Sequence, residues 1–315
     1  MPRITWPELP AGLRLEIERQ VGGTVAEWTS QPGGFSPGVA DRLLLDDGQR
    51  VFVKVVAAAA DPFSITIHRR EIDVLTKLAE VPGFELIPHA RLLGHIDTAE
   101  WAVVILQDVA GREPSWAEGE LDAVLDVLPA LAELPLANVE LPDLRTSLSP
   151  LFRGWDRLAA DPEVPLPYED DLNAWIAAHL NALRALSAEA LDLASGDALV
   201  HVDLRADNLL LRSTDCSPVL LDWPWAAVGS RWFDPVGLLL DAVYRRPGYD
   251  IDLVLGTHPI FAEIPADTAE RFFAGLAGYF THAALQLPPP ALPTVRKFQR
   301  DQGEAALRWL RTRLG

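Results

Sequence analysis

The sequence predicts an α+β fold of two unequal lobes, a small β-rich N-terminal lobe with one key helix and a larger, mostly α-helical C-terminal lobe. Three observations carry this expectation. The first hundred residues read as short apolar runs broken by turn signals, with a single stretch of helical spacing. Beyond them, several long segments repeat apolar residues at the 3.6-residue period of a helix. A chain of 315 residues, 49% hydrophobic, is long enough to give each of two domains its own core. The expected lobes are residues 1–106 and 107–315, with a hinge near 105–110.

Taken in order, Gln31-Pro32-Gly33-Gly34-Phe35-Ser36-Pro37-Gly38 is a glycine-rich turn region. Residues 43–45 and 51–56 are short apolar runs separated by Asp46-Asp47-Gly48-Gln49, a hairpin signal. A helix is expected over about 64–80, and a buried strand over 101–106. In the larger lobe, 121–134, 172–193, 266–285 and 295–314 show helical spacing, and Gly196 and the Pro288-Pro289-Pro290 run are expected to end two of these helices. Three short apolar strands fall at 198–200, 209–211 and 219–221. There is no internal repeat and no low-complexity segment.

Composition narrows the function classes. With 45 acidic against 27 basic side chains, the net charge of -18 repels polyanions, and no basic cluster with interleaved aromatics opposes it. Nucleic acid is therefore not an expected partner, and anionic membrane surfaces are disfavoured. No apolar run approaches a membrane span, and the prolines at Pro2, Pro7 and Pro10 interrupt any signal-peptide core, so a cytoplasmic location is expected. The single cysteine, Cys216, forms no internal disulfide, which fits a reducing compartment. The seven histidines lack metalloprotease spacing, and no Gly-x-Ser-x-Gly elbow is present. Residues 1–100 hold 10 basic and 14 acidic side chains, and 101–315 hold 17 and 31, so most of the excess acid lies in the larger lobe. Only Lys54, Lys77 and Lys297 are lysines.

Two charged residues are out of place. Ile67, Val74, Leu75 and Leu78 share one face of the helix expected near 64–80, and Glu71 projects into the middle of it. Lys54 interrupts an apolar strand. An inward carboxylate and an inward ammonium each cost several kcal/mol unless paired, and the two anomalies answer each other.

A second concentration of chemistry is Val200-His201-Val202-Asp203-Leu204-Arg205-Ala206-Asp207-Asn208-Leu209, where two apolar strands flank a loop crowded with polar side chains. A hairpin turn needs only one or two such residues, so this loop points to charged ligands and metal. Downstream, Asp222 arrives where another apolar strand opens into a loop. Phosphoryl transfer needs a base at the acceptor hydroxyl, oxygen ligands for magnesium, and a cation on the nucleotide phosphates. Asp203 can be the base, Asn208 and Asp222 the metal ligands, and Lys54, oriented by Glu71, the phosphate contact.

On these motifs the chain resembles the aminoglycoside phosphotransferase and choline kinase-like superfamily, which has the protein-kinase-like fold. The motifs follow in the family's order: the glycine-rich segment, Val51-Phe52-Val53-Lys54, Glu71, a hinge at Ile105-Leu106-Gln107-Asp108-Val109, the loop from His201, Leu221-Asp222-Trp223, and Trp232-Phe233-Asp234-Pro235. The resemblance implies ATP or GTP with Mg2+ as cofactors, Asp203 as catalytic base, Asn208 and Asp222 as metal ligands, and Lys54 on the α and β phosphates. It further implies adenine contacts from the backbone of Gln107 and Val109, an architectural His201, and Asp234 as a support for the loop.

The pattern departs from the family at Val202, where members often have glycine, and at Arg205-Ala206-Asp207, where His-Pro-Gly is common. Arg205 stands where many protein kinases carry a lysine near the γ phosphate, and is expected either to stabilise the transferring phosphoryl group or to pair with Asp207 or another loop acid. In the glycine-rich segment, backbone N–H groups and the Ser36 hydroxyl are expected to approach phosphate, or the segment is a surface turn. The expected activity is transfer of a γ-phosphoryl group to a hydroxyl of a small, cationic acceptor such as an aminoglycoside or amino-metabolite, with 153–171 and 249–252 as candidate walls. The alternatives are a nucleotide-binding pseudokinase and a kinase-fold AMP transferase.

Overall fold

A computed structural model of the chain describes residues 4–31, 38–289 and 292–315. Ser36, with Gly33 and Gly34, lies outside the described residues. In chain order the first elements are α1 (Ala11–Val21), β1 (Val25–Ser30), β2 (Val39–Leu45), β3 (Arg50–Ala57), α2 (Pro62–Ala79), β4 (Leu92–Asp97), β5 (Trp101–Gln107) and β6 (Gly111–Arg112). There follow α3 (Glu120–Leu125), α4 (Pro129–Ala132), α5 (Leu144–Leu148), α6 (Gly154–Ala160), α7 (Asp170–Leu193), β7 (Ala198–Val200), β8 (Leu209–Arg212) and β9 (Pro218–Leu220). The chain ends with β10 (Ala227–Gly229), α8 (Phe233–Arg245), α9 (Ile251–Thr257), α10 (Thr268–Ala284) and α11 (Val295–Leu314). Two compact units result: Met1–Glu113 with Asp207–Trp225, and Pro114–Ala206 with Ala226–Gly315.

In the first unit an antiparallel sheet runs β1-β2-β3-β5-β4. Its period of two sorts the side chains of β3. Val51, Val53 and Val55 enter a core with Trp6, Leu9, Ile17, Val103 and Ile105, while Val56, two residues on from Lys54 on the other face, packs with Ile65 of α2. The β2–β3 turn forms as expected, with Gly48 at φ 87°. Gly38 is required by packing, because a Cβ there would lie 1.8 Å from the Val55 carbonyl oxygen. Asp61 caps α2 by accepting from Phe63 N at 3.0 Å, and Pro62 occupies its first turn. The hairpin β8–β9 belongs to this unit as well, in a small sheet ordered β6-β8-β9.

The second unit is mostly helical, with α7, α10 and α11 as its long members and a two-stranded ladder of β7 and β10. The single helix expected over 121–134 is two short ones, α3 and α4. Pro129 cannot donate to the carbonyl of Leu125, and its ring crowds that oxygen, so the helix stops and restarts. Among the described residues no helix is long and apolar enough to cross a membrane.

Candidate active site

In the first unit, Lys54 and Glu71 meet. Nζ lies 2.9 Å from both Glu71 carboxylate oxygens and 2.6 Å from Asp222 Oδ1. Glu71 is 1% exposed. Burial alone would lower the Lys54 pKa, but the Asp222 and Glu71 carboxylates outweigh it and raise it, so the ammonium stays charged. Burial raises the Glu71 pKa, with Lys54 pulling it down and Asp222 adding to the rise. His68, one turn before Glu71, is buried with Nδ1 2.9 Å from Ser64 O.

The β8–β9 hairpin delivers the two expected metal ligands to one end. Leu209 pairs with Leu220, and one step further Leu221 N donates to Asn208 O at 2.9 Å, so Asn208 enters the hairpin where Asp222 leaves it. Asp222 has φ 65°, and Glu71 accepts from the Trp223 backbone N–H. The Trp223 ring is 5.5 Å edge-on to Phe84 and 6.3 Å from His89. Among the described residues no three acidic, histidine or cysteine side chains form a metal cage. One amide oxygen and one carboxylate fit a hard cation that keeps water and substrate phosphate as its remaining ligands, as Mg2+ does.

The segment after β5 is held by Arg42, which the sequence did not single out. Its guanidinium donates to Val109 O at 3.2 Å and lies 3.3 Å from Asp108 Oδ1. Gln107 N–H donates to Arg91 O at 2.8 Å, so this N–H is already engaged. The Val109 carbonyl is engaged, while its N–H donates to no group among the described residues.

In the second unit, the loop from His201 is pinned from α8. Asp234 Oδ2 accepts from His201 N at 2.6 Å and Oδ1 from Val202 N at 2.8 Å. Burial pushes the Asp234 pKa up to about 7 against these two hydrogen bonds, with the Asp203 charge adding to the rise. Two turns along α8, Asp241 is 1% exposed and accepts from Ala206 N at 3.0 Å and Trp116 Nε1 at 2.8 Å. Both ends of the His201–Ala206 loop are thus tied to one helix face. Asp241 was not anticipated, although an acid directly after Leu238-Leu239-Leu240 is the kind of signal that exposed Glu71. Val202 adopts φ 75°, a left-handed conformation unusual for a β-branched residue and natural for the glycine that the resemblance leads one to expect there.

Arg205 Nη1 lies 3.3 Å from Asp203 Oδ1, and its Cζ sits 5.0 Å from the Phe298 ring centroid. The expected pairing with a loop acid is therefore seen, with Asp203 as an acid it meets. In the two candidate acceptor walls, several of the side chains singled out are engaged in packing or capping. Trp155 is 1% exposed with Nε1 on Ala274 O at 2.7 Å, Tyr168 OH bonds Thr281 Oγ1 at 2.8 Å, and Asp250 caps α9 through Leu253 N.

Residues 34–284 match the model of the phosphotransferase enzyme family. No curated protein matches the chain. An aminoglycoside phosphotransferase from Streptomyces rimosus, solved with ADP and streptomycin, superposes at a TM-score of 0.53 with 17% identity, covering 86% of this chain and 99% of its own. An aminoglycoside phosphotransferase from Alicyclobacillus acidocaldarius gives 0.56 with 16% identity, covering 92% of each chain. Plasmodium vivax ethanolamine kinase gives 0.55 with 11% identity, covering 90% of this chain and 81% of that one. The fold is that of the protein-kinase-like enzymes, and over most of its length the chain belongs to the phosphotransferase enzyme family.

Proposed function

We propose that this phosphotransferase moves the γ-phosphoryl group of ATP to a hydroxyl of a small molecule. The observation that carries the reading is Lys54, held between Glu71 and Asp222 on a unit whose hairpin end also presents Asn208. In the reaction, Asp203 accepts the proton of the acceptor hydroxyl, whose oxygen bonds to the γ phosphorus. The bond from that phosphorus to the β–γ bridging oxygen breaks, and ADP leaves. Lys54 contacts the α and β phosphates, and Asn208 and Asp222 would hold Mg2+, which when bound neutralises charge on the phosphates. Arg205 stabilises the transferring group once substrate charge competes with Asp203 for its guanidinium.

The backbone groups at the end of β5 support adenine over guanine. A carbonyl at Gln107 accepts from an exocyclic amine, and the N–H of Val109 donates to the adjacent ring nitrogen. Guanine offers an oxygen in place of that amine, which two acceptors facing each other cannot satisfy.

The acid excess of the helical unit does not by itself select a cationic acceptor, because a net charge does not place a carboxylate at the acceptor, and several of the acids are held in ion pairs. Asp156 meets Arg184, Asp171 meets Arg311, Glu189 meets Arg271 and Glu270 meets Arg313, each at 2.8 Å. Streptomycin in the Streptomyces rimosus complex and the ethanolamine of the Plasmodium vivax kinase's name support hydroxylated small molecules as the class.

Nucleotide products released from ATP test the reading. ADP release is expected, whereas AMP release would assign a nucleotidyl transferase, and no release with retained nucleotide binding a pseudokinase. Asp203→Ala should abolish ADP release while nucleotide still binds, and Asp222→Ala should also weaken Mg2+-dependent binding. Full activity in either folded variant would sink the assignment.

A further inference from the structure

Beside Asp203, a chain of hydrogen bonds from α11 orients a phenol on α10. Phe298, which carries Arg205 on its ring face, is followed by Gln299, 7% exposed. Arg296 Nη1 lies 2.8 Å from Gln299 Oε1, and its Nε and Nη2 lie 3.3 and 3.1 Å from Leu287 O. A guanidinium only donates, so the Gln299 amide has one possible orientation, with Nε2 turned to Tyr279 OH at 3.3 Å. The phenol oxygen accepts there. Its own proton is left to donate, and no group among the described residues accepts it. Burial first, then the Asp203 charge, raise the Tyr279 pKa, so the proton stays on the ring at neutral pH.

The surroundings of this donor are chemically one-sided. Tyr279 offers an O–H group, Arg205 lies against Asp203, and the Phe298 and Tyr244 rings stand edge to face at 5.6 Å. Asp301, the acid two residues beyond Gln299, is engaged by Lys297 and by Arg300 at 2.7 Å. The acid at this place, Asp203, is met by Arg205 at 3.3 Å, whereas the oxygen atoms of an acceptor find the Tyr279 hydroxyl as a donor and sugar-ring faces find aromatic surface.

We infer that Tyr279 determines acceptor specificity, donating a hydrogen bond to an oxygen neighbouring the hydroxyl that is phosphorylated, so that the acceptor is an oxygen-rich polyol or sugar and not a simple amino alcohol. Gln299 and Arg296 are positioning residues that keep the phenol proton directed at the acceptor. The inference rests on Asp203 being the base, as proposed above.

The test measures ADP release from Mg·ATP with an oxygen-rich set of neutral probes (myo-inositol, glucose, methyl glucosides) and an amino-alcohol set (ethanolamine, choline). Stimulation by the oxygen-rich set is expected. With its best member, Tyr279→Phe should raise the acceptor KM about tenfold and lower kcat less, since a neutral hydrogen bond to substrate is lost. Gln299→Leu should raise the same KM about threefold, a change that simple loss of folded protein, which lowers only the apparent kcat, does not produce. Stimulation confined to the amino alcohols, stimulation by neither set, or an acceptor KM unmoved in Tyr279→Phe would each overturn the inference. Basal ADP release to water separates this from failure of the underlying reading: if Asp203→Ala abolishes it while the outcomes above fail, Asp203 remains the base and only the acceptor assignment falls.

Discussion

Replacing Glu71 with glutamine isolates what the buried carboxylate does for Lys54. The side chain keeps its shape and one acceptor oxygen but loses its charge and turns an amide N–H2 toward either the ammonium or the Trp223 N–H. Both 2.9 Å contacts to Nζ are charge-assisted in the wild type. Such bonds contribute about 1.5–3 kcal/mol, against about 1 kcal/mol for a neutral bond. Part of the loss is recovered, because burying the carboxylate is itself unfavourable, as its raised pKa shows. The remainder is about 1–2 kcal/mol of lysine positioning, or roughly a tenfold fall in kcat/KM for ATP.

A second effect has a different signature. Lys54 is drawn wholly to Asp222, whose Oδ1 is already 2.6 Å away. A carboxylate bound more tightly by an ammonium is a poorer ligand for Mg2+, so the half-saturating Mg2+ concentration should rise as well. Initial rates of ADP release against ATP, then against Mg2+ at fixed ATP, measure both, with a thermal melt to establish folding. A folded Glu71→Gln enzyme whose kcat/KM for ATP stays within twofold of wild type would refute the role of the pair.

Two further outcomes can be measured by denaturant unfolding. Val202→Gly should stabilise the protein by about 1 kcal/mol, because relief of a left-handed β-branched residue, about 1–3 kcal/mol, exceeds the entropy cost of glycine, about 0.5–1 kcal/mol; a loss of stability contradicts the strain. His68 should make stability depend on pH: burial first, then the Lys54 charge, hold its pKa at about 4, below the roughly 6.5 of an unfolded histidine. The fold therefore favours the neutral ring, and this contribution is whole above pH 6.5 and lost as pH falls from 6.5 to 4, about 3 kcal/mol in all. A stability difference between wild type and His68→Gln that does not change across that window refutes the assignment.

How far the site can be read from sequence depends on whether the relevant physics is local. Lys54 and Glu71 stood out because each breaks an apolar pattern of known period, and a charge inside such a pattern needs a partner. Asp222 stood out for a similar reason, at the mouth of an apolar strand. By the same rule Asp241 was within reach, two turns beyond Asp234 on the apolar face of α8, and its bonds to Ala206 N and Trp116 Nε1 close the far end of the loop that Asp234 opens. Arg42 was not within reach, because its partner is the main-chain oxygen of Val109, and backbone acceptors leave no mark in a sequence. Strand β1 was missed for want of a pattern, since of its six residues only Val25 is not exposed.

The relay to Tyr279 lies furthest from sequence reasoning. Tyr279 and Gln299 are twenty residues apart on separate helices, and only the register of α10 against α11 brings them to 3.3 Å. The same distinction governs charge. Composition placed most of the -18 in the helical lobe and favoured a cationic acceptor, but a net charge does not say where the unpaired carboxylates sit, and tertiary contacts decide that. Asp156, Asp171, Glu189, Glu270 and Asp301 each lie against an arginine, while Asp203 is met by Arg205, which rests on the Phe298 ring. The net charge of a lobe is thus a poor guide to its ligand, and the inventory of donors and acceptors around one hydroxyl, such as Tyr279 held by Gln299, is the sharper basis for proposing an acceptor.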